Sequence, residues 1–244
     1  MGMKASEIMD RAQRLIQDAT NVRWPLVELL IWLNDAQREI VLQKPSALSV
    51  SRVLTLQAGT WQKLPDDALT LLKIIRNIAA VDDDTGARTG GRAIRIVSRD
   101  VLDSQQADWH TSDSTHFSPI VKHYIYDEED TTSFYVFPGN NGSGKVEALL
   151  SISPTRIAID GGDEAEAIES YELPIGLPDI YSNAILDYIC YRCYSKDAQY
   201  TANMQRAVAH YQQFANSIGI KANAEALNSP NMDSGIKSTP RLAM

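Results

Sequence analysis

The hydrophobic spacing of this chain changes period twice, and that limits its possible folds more than any other feature. From the start to about Pro45 apolar residues recur every three to four positions. From about Ser49 to Leu173 they alternate, and from Leu177 to Ile218 the helical spacing returns. An alternating segment lines a sheet and a 3.6-residue period lines a helix face, so the order is helices, strands, helices. Neither terminal helix pair carries enough apolar surface for a good core of its own, so the two pairs are predicted to pack together. The predicted fold class is α+β: a four-helix body from N- and C-terminal helix pairs, an inserted antiparallel β-sandwich or barrel domain, and a flexible C-terminal arm. The boundaries are an N-terminal helix pair at 1–48, the inserted β domain at 49–175, a C-terminal helix pair at 176–220 and the arm at 221–244.

Local signals fill in the elements. Ile8, Ala12, Leu15, Ile16 and Ala19 form one helical face, with Ser6 as N-cap and Asn21 as the break. Trp24-Pro25 opens a second helix, since a proline in the first turn loses no hydrogen bond, and Pro45 ends it. Val50 to Leu56 and Thr60 to Leu64 read as strands with Ala58-Gly59 as the turn between them. Leu71 to Ile78 fits a buried strand or a short helix. Arg92 to Ser98 alternates, Ser98 to Trp109 reads as a short helix with Val101 and Leu102 inward, and Ile120–Tyr126, Ser133–Phe137 and Lys145–Pro154 are the clearest strands. The acidic stretch from Asp160 to Glu172 reads as a surface loop. Leu177-Pro178-Asp179 starts a helix with Ile185, Leu186, Ile189 and Cys193 on one face. A second helix carries Met204, Ala207, Val208, Tyr211, Phe214 and Ile218 and is predicted to stop at Gly219. Beyond Lys221 large apolar residues are few, so an arm there orders only on a partner.

Hydrophobic residues make up 44% of the chain, enough for a real core. Acidic residues outnumber basic ones, 31 to 23, for a net charge of -8. That balance repels nucleic acid at long range and argues against sequence-specific DNA binding, but it suits a wall past which DNA slides. No secretory signal is visible, and the most apolar run, Leu26 to Leu33, is too short to cross a bilayer. Cys190 and Cys193 give no disulfide framework, which points to assembly in a reducing cytoplasm with no membrane partner.

Several motifs suggest chemistry and fail on context. Gly139 to Lys145 matches the first seven positions of a phosphate loop, but Val146 stands where Ser or Thr should bind magnesium, and a strand is predicted where the loop needs a helix. Cys190-x-x-Cys193 has no second cysteine pair and lies on an apolar helix face, so it reads as core. His110 and His116, with Asp108 and Asp113, lie in a polar loop that lacks a scaffold for a metal, while His123 falls on a strand and His210 on a polar helix face. Asp82 to Asp84 and Asp127 to Asp130 lack the spacing of a calcium loop and read as solvated turns. No catalytic residue, metal or cofactor is predicted, and the chain is not expected to be an enzyme.

Four segments carry a family likeness. They are Trp32-Leu-Asn-Asp-Ala-Gln-Arg-Glu-Ile40 in the early helix pair, the strand pair Val53 to Leu64 with its Gly-Thr-Trp-Gln-Lys-Leu-Pro ending, Thr132 to Pro138, and the closing helices from Leu177 through Tyr194–Tyr200 to Phe214. In these the chain resembles the head-to-tail adaptors of short-tailed bacteriophages, the group that includes tail tubular protein A. The resemblance implies a virion neck subunit without enzymatic activity. Its copies, usually twelve, would form a ring that surrounds the genomic DNA channel, with the portal protein above and the tail nozzle protein below. It also implies that the C-terminal arm reaches the portal, through Ile220, Ile236, Pro240, Arg241 and Leu242, while the β domain faces the nozzle. The stretch 160–172 has no counterpart in that pattern. The competing readings are another phage tail-side component, such as a stopper or tail-completion protein, a non-viral ligand-binding module, and an enzyme working through Lys145 or the loop histidines.

Overall fold

A computed structural model describes residues 2–82, 84–113, 115–127, 129–159, 163–197, 199 and 201–227. In chain order the elements are α1 (Ala5–Ile16), α2 (Leu26–Gln43), β1 (Ser49–Thr55), β2 (Ala58–Lys63), β3 (Ala68–Val81), β4 (Arg88–Ala93), β5 (Arg95–Ile96), α3 (Arg99–Gln105), β6 (His123–Ile125), β7 (Ser133–Asn141), β8 (Lys145–Ile152), α4 (Ser182–Lys196) and α5 (Thr201–Leu227). They form two compact units, one of Met1–Lys44 with Thr155–Met244 and one of Pro45–Pro154. The fold is α+β, as the change of period predicts.

In the helical unit α1 buries Ala5, Ile8, Met9, Ala12 and Ile16, while Leu15 faces solvent, contrary to the sequence reading. Its start is set by extended backbone rather than by Ser6: Ala5 N–H donates to Leu173 O at 2.9 Å and Ile175 N–H to Met3 O at 3.0 Å. The Lys4 N–H then bonds the Glu7 carboxylate. The helix ends at Ile16, short of Ala19, because Gln17 adopts a left-handed φ of 59°. The Asp18 carboxylate next takes the N–H groups of Val22, Arg23 and Trp24 and so shapes the turn into α2. Pro25 and Pro45 bracket α2 as expected.

The interior of this unit is fastened at a polar point. Asn34 on α2 is buried, donates to Ile157 O at 2.9 Å and accepts from Ile157 N–H at 2.9 Å. One side-chain amide thus completes a backbone pair for a segment that has no strand beside it. Gln37, one turn on, accepts from Gly176 N–H at 2.6 Å. Part of the stretch read as a surface loop is anchored too: Tyr171 is fully buried and its hydroxyl donates to Ala165 O. On α4 the predicted face of Ile185, Leu186, Ile189 and Cys193 is buried. Gly219 does not stop α5, which runs on to Leu227. A Cβ at Gly219 would meet nothing within 4 Å, and Ala222, Ala224 and Ala226 beyond it are strong helix formers.

The β unit holds two four-stranded sheets, ordered β1-β8-β3-β4 and β2-β7-β6-β5, and neither closes into a barrel. Leu71, Ile74 and Leu150 of the first sheet share one core with Tyr124, Phe134 and Val136 of the second. Two pairings differ from the sequence reading. β1 and β2 do not pair with each other: β1 joins β8 and β2 joins β7. Gln62 makes that crossing, accepting from Gln57 N–H at 2.7 Å and donating to Gln57 O and Gly59 O, while Gly59 takes a φ of 113°. β5 and β6 pair in parallel, because the long connection through α3 lets the chain re-enter the sheet in the same direction. The ambiguous stretch Leu71–Ile78 is part of β3, held between β8 and β4. On α3, Leu102 is buried and Val101 exposed. Asn77 repeats the Asn34 device, exchanging two 2.8 Å bonds with Val121 N–H and O and adding Arg92 O.

Across the first sheet runs a charged cluster. Glu147 on β8 accepts from Arg76 Nε at 2.7 Å, Arg88 Nη1 at 2.8 Å and Ser51 Oγ at 3.0 Å. The Arg76 bond, with Ser51 and Arg88, holds the Glu147 carboxyl below its usual range.

Two outcomes follow from these contacts. Asn34→Ala leaves the buried Ile157 amide and carbonyl without partners and is expected to cost about 2–4 kcal/mol, read from denaturant unfolding. Folding lowers the Glu147 pKa, so its contribution to stability is complete above the ordinary carboxyl value of 4.5 and is lost as pH falls through the depressed one. Glu147→Gln should therefore lower stability at pH 7 and flatten its fall between neutral pH and pH 3, measured by thermal melts across that range.

Candidate functional site

An open apolar surface of the helical unit lies along the α4–α5 hairpin. At about 100° per residue, Phe214, Ala207 and Ile218 occupy one side of the apolar arc of α5, and Tyr211, Met204 and Val208 the other. The first three are buried. Met204, Val208 and Tyr211 are 53%, 53% and 42% exposed, and with Tyr191 and Ser195 of α4 they line a groove of about 230 Å³. The sequence reading set all six at one helical spacing without dividing them between core and surface. The arc is wider than one helix contact covers, and its width was the available signal.

Aromatic rings stiffen this hairpin. Tyr188 and Phe214 lie 5.1 Å apart between centroids, as do Tyr191 and Tyr211. His210 is not simply solvated: its Nδ1 is 3.0 Å from Asp187 Oδ1 and its ring stacks on Tyr194. Farther along α5 the Lys221 ammonium donates to Ile180 O and lies 4.6 Å from the centre of the buried Tyr181 ring. Partial burial, with Lys44 nearby, pushes the Lys221 pKa down. Beside this pin Ile180 and Ile220 stand 60% and 68% exposed. Ile220 is thus a helix residue at a free surface. Ile236, Pro240, Arg241 and Leu242 lie outside the described residues, as does the arm beyond Leu227, whereas 221–227 continue α5.

Several of the residues singled out for chemistry have structural roles. Lys145 begins a strand, and the preceding loop is closed on itself: Asn140 Oδ1 accepts from Gly142 and Gly144 N–H, and Asn141 Oδ1 from Ser143 N–H. His110 Nδ1 is 2.8 Å from Thr60 Oγ1 and its ring lies 3.6 Å from Trp109, while His116 is exposed. Asp82 accepts from the backbone N–H groups of Thr85 and Asp84, and Asp130 accepts from the Ser133 and Thr132 hydroxyls together with Thr132 N–H, which lowers both pKa values. Among the described residues no three His, Cys, Asp or Glu side chains are grouped to hold a metal, and no helix is long and apolar enough to cross a membrane. What the geometry offers is surface for assembly.

Among known protein families, the profile of the one described as SU10 adaptor protein matches residues 3–233, and so spans both units. No curated protein matches the chain.

Cys190 and Cys193 supply a check on how α4 packs. Both are fully buried and unpaired, and burial pushes the Cys190 thiol up to about 12 and Cys193 higher still. Ellman's reagent at pH 8 should find almost no reactive thiol in the native protein and two after denaturation.

Proposed function

This chain belongs to the SU10 adaptor protein family, and from that premise we propose that it is the head-to-tail adaptor of a short-tailed phage, of the tail tubular protein A kind. Membership carries the coarser statement, a phage structural adaptor. The finer reading is a twelve-fold ring that joins the capsid portal to the tail nozzle and encloses the DNA channel. The observation that carries the adaptor reading, and supports the finer one, is the match over residues 3–233, which takes in the helical body and the β unit together. The half-exposed apolar arc of α5 supports it, since a structural subunit needs surfaces that a monomer leaves uncovered. Net charge -8 suits a lumen that lets DNA pass without adhering.

In this reading the Met204–Val208–Tyr211 groove packs against the neighbouring copy. The portal receives Ile220 of α5 together with Ile236, Pro240, Arg241 and Leu242 of the arm, and the β unit meets the nozzle.

The test is co-sedimentation with portal rings of the same virus. Saturable binding near one chain per portal subunit is expected, lost on truncation after Leu227. Failure to bind at micromolar concentration would overturn the portal-side reading and favour a tail-side component. The double variant Met204→Asp/Val208→Asp should keep its helical content and melting temperature, because both side chains are half exposed. It should fail to form rings on portals, as judged by electron microscopy.

A further inference from the structure

A small cleft in the β unit is lined by two cations and by no acidic residue among the described residues. It has a volume of about 230 Å³ and lies between the β3–β4 pair and the β7–β8 turn. Arg92 and Lys145 supply its charge, Ile78 and Ile120 its apolar wall, and Gly91 and Gly144 its floor. None of the residues lining it is acidic.

Most other cations of this unit are engaged: Arg52 with Asp67, Lys63 with Asp66, Arg76 and Arg88 with Glu147, and Arg99 over the Tyr135 ring. Arg92 and Lys145 have no side-chain partner among the described residues. Two unneutralised cations facing one hollow, on a chain of net charge -8, make a local site for an anion. The hollow is built into the backbone. A Cβ on Gly144 would come within 2.5 Å of Pro119 O, which holds that part of the floor at glycine, and one on Gly91 would crowd Asn77 O at 3.2 Å. Asn77, bonded to Arg92 O and to both backbone groups of Val121, fixes the strand that carries Arg92.

We propose that this cleft is a carboxylate-binding notch that seats an aspartate or glutamate side chain of a partner polypeptide, with an apolar neighbour of that residue against Ile120. Phosphate is the competing anion, and the loop chemistry disfavours it. Phosphate sites draw on several free backbone amides, whereas the Gly142, Ser143 and Gly144 amides are already satisfied by Asn140 and Asn141. What remains is one guanidinium fork and one ammonium, which match the two oxygens of a carboxylate. The hollow is also below the roughly 300–1,000 Å³ of small-molecule sites, so it suits one inserted side chain rather than a nucleotide. Ile120, 51% exposed at the rim, suits a peptide better than a phosphodiester backbone. The site belongs to the β unit and the α5 groove to the helical unit, and the proposal does not require that the chain form rings.

The experiment is an amide chemical-shift titration of the full chain with four probes. These are acetyl-Ala-Leu-Glu-Leu-Ala-amide, its Gln counterpart, inorganic phosphate and a short DNA duplex. The Glu peptide should shift Gly91, Gly144 and Lys145 saturably at millimolar concentration, with the Gln peptide about tenfold weaker. The shifts should vanish in Arg92→Gln/Lys145→Gln and persist in Arg92→Lys/Lys145→Arg, variants at exposed positions that leave the fold intact. Equal binding of the Gln peptide, persistence in the Gln double variant, or no saturable shift would overturn the proposal. Tighter saturation of the same amides by phosphate or the duplex would overturn it in favour of a nucleic-acid backbone. Portal co-sedimentation of the Gln double variant separates this failure from that of the adaptor reading, since the portal contact is assigned to the helical unit.

Discussion

The pairing of β1 with β8 is the constraint on which both units depend. These are the first and last strands of the β unit, and their ladder runs from Ser49 opposite Ser151 to Thr55 opposite Lys145. A chain that leaves the helical unit at Lys44 is therefore returned to it at Thr155 from a neighbouring point. That closure lets the N-terminal and C-terminal helices belong to one body although the whole β unit lies between them in sequence. It also fixes the sheet order, because β8, with Val146, Ala148 and Leu150 buried, can then take β3 on its other side.

Where the chain leaves regular structure, uncharged amide side chains take over the backbone's bonding. Asn34 completes a pair with Ile157, Asn77 with Val121, Gln62 closes the crossing between sheets, and Asn140 collects the amides of the β7–β8 turn. An amide both donates and accepts, so it satisfies an orphaned N–H and C=O together without the desolvation cost of a buried charge. Among the described residues of the β unit, the buried carboxylate of Glu147 is matched by two arginines.

The helices and most strands were legible because their burial is one-sided and therefore periodic, and because Pro25 and Pro45 mark true boundaries. Strand partners were not legible. β1 and β2 adjoin in sequence and read as a hairpin, and only the bonds of the Gln62 side chain reveal a change of sheet. Gly219 misled because glycine ends a helix only where a left-handed residue is required, and α5 has alanines to continue with. The candidate surfaces were half visible. Ile220 was named from a resemblance, whereas the open side of the α5 arc was hidden among residues that periodicity alone assigns to a core. The cleft at Arg92 and Lys145 was out of reach, since it joins residues brought together only by the β3–β4 pair and the β7–β8 turn.

The closed β unit also sets a timetable for synthesis. The apolar faces of α1 and α2 leave the ribosome first, yet α4, against which they pack, follows only after the entire insertion. Once Pro154 has emerged, β8 can zip between β1 and β3 and complete a core of its own, while the helices behind it still lack their partner. The second module to be made is thus the first that can finish. For that interval the nascent chain exposes Leu29, Leu33 and Ile40, residues the finished protein buries completely, and it is then that a chaperone would find most to hold.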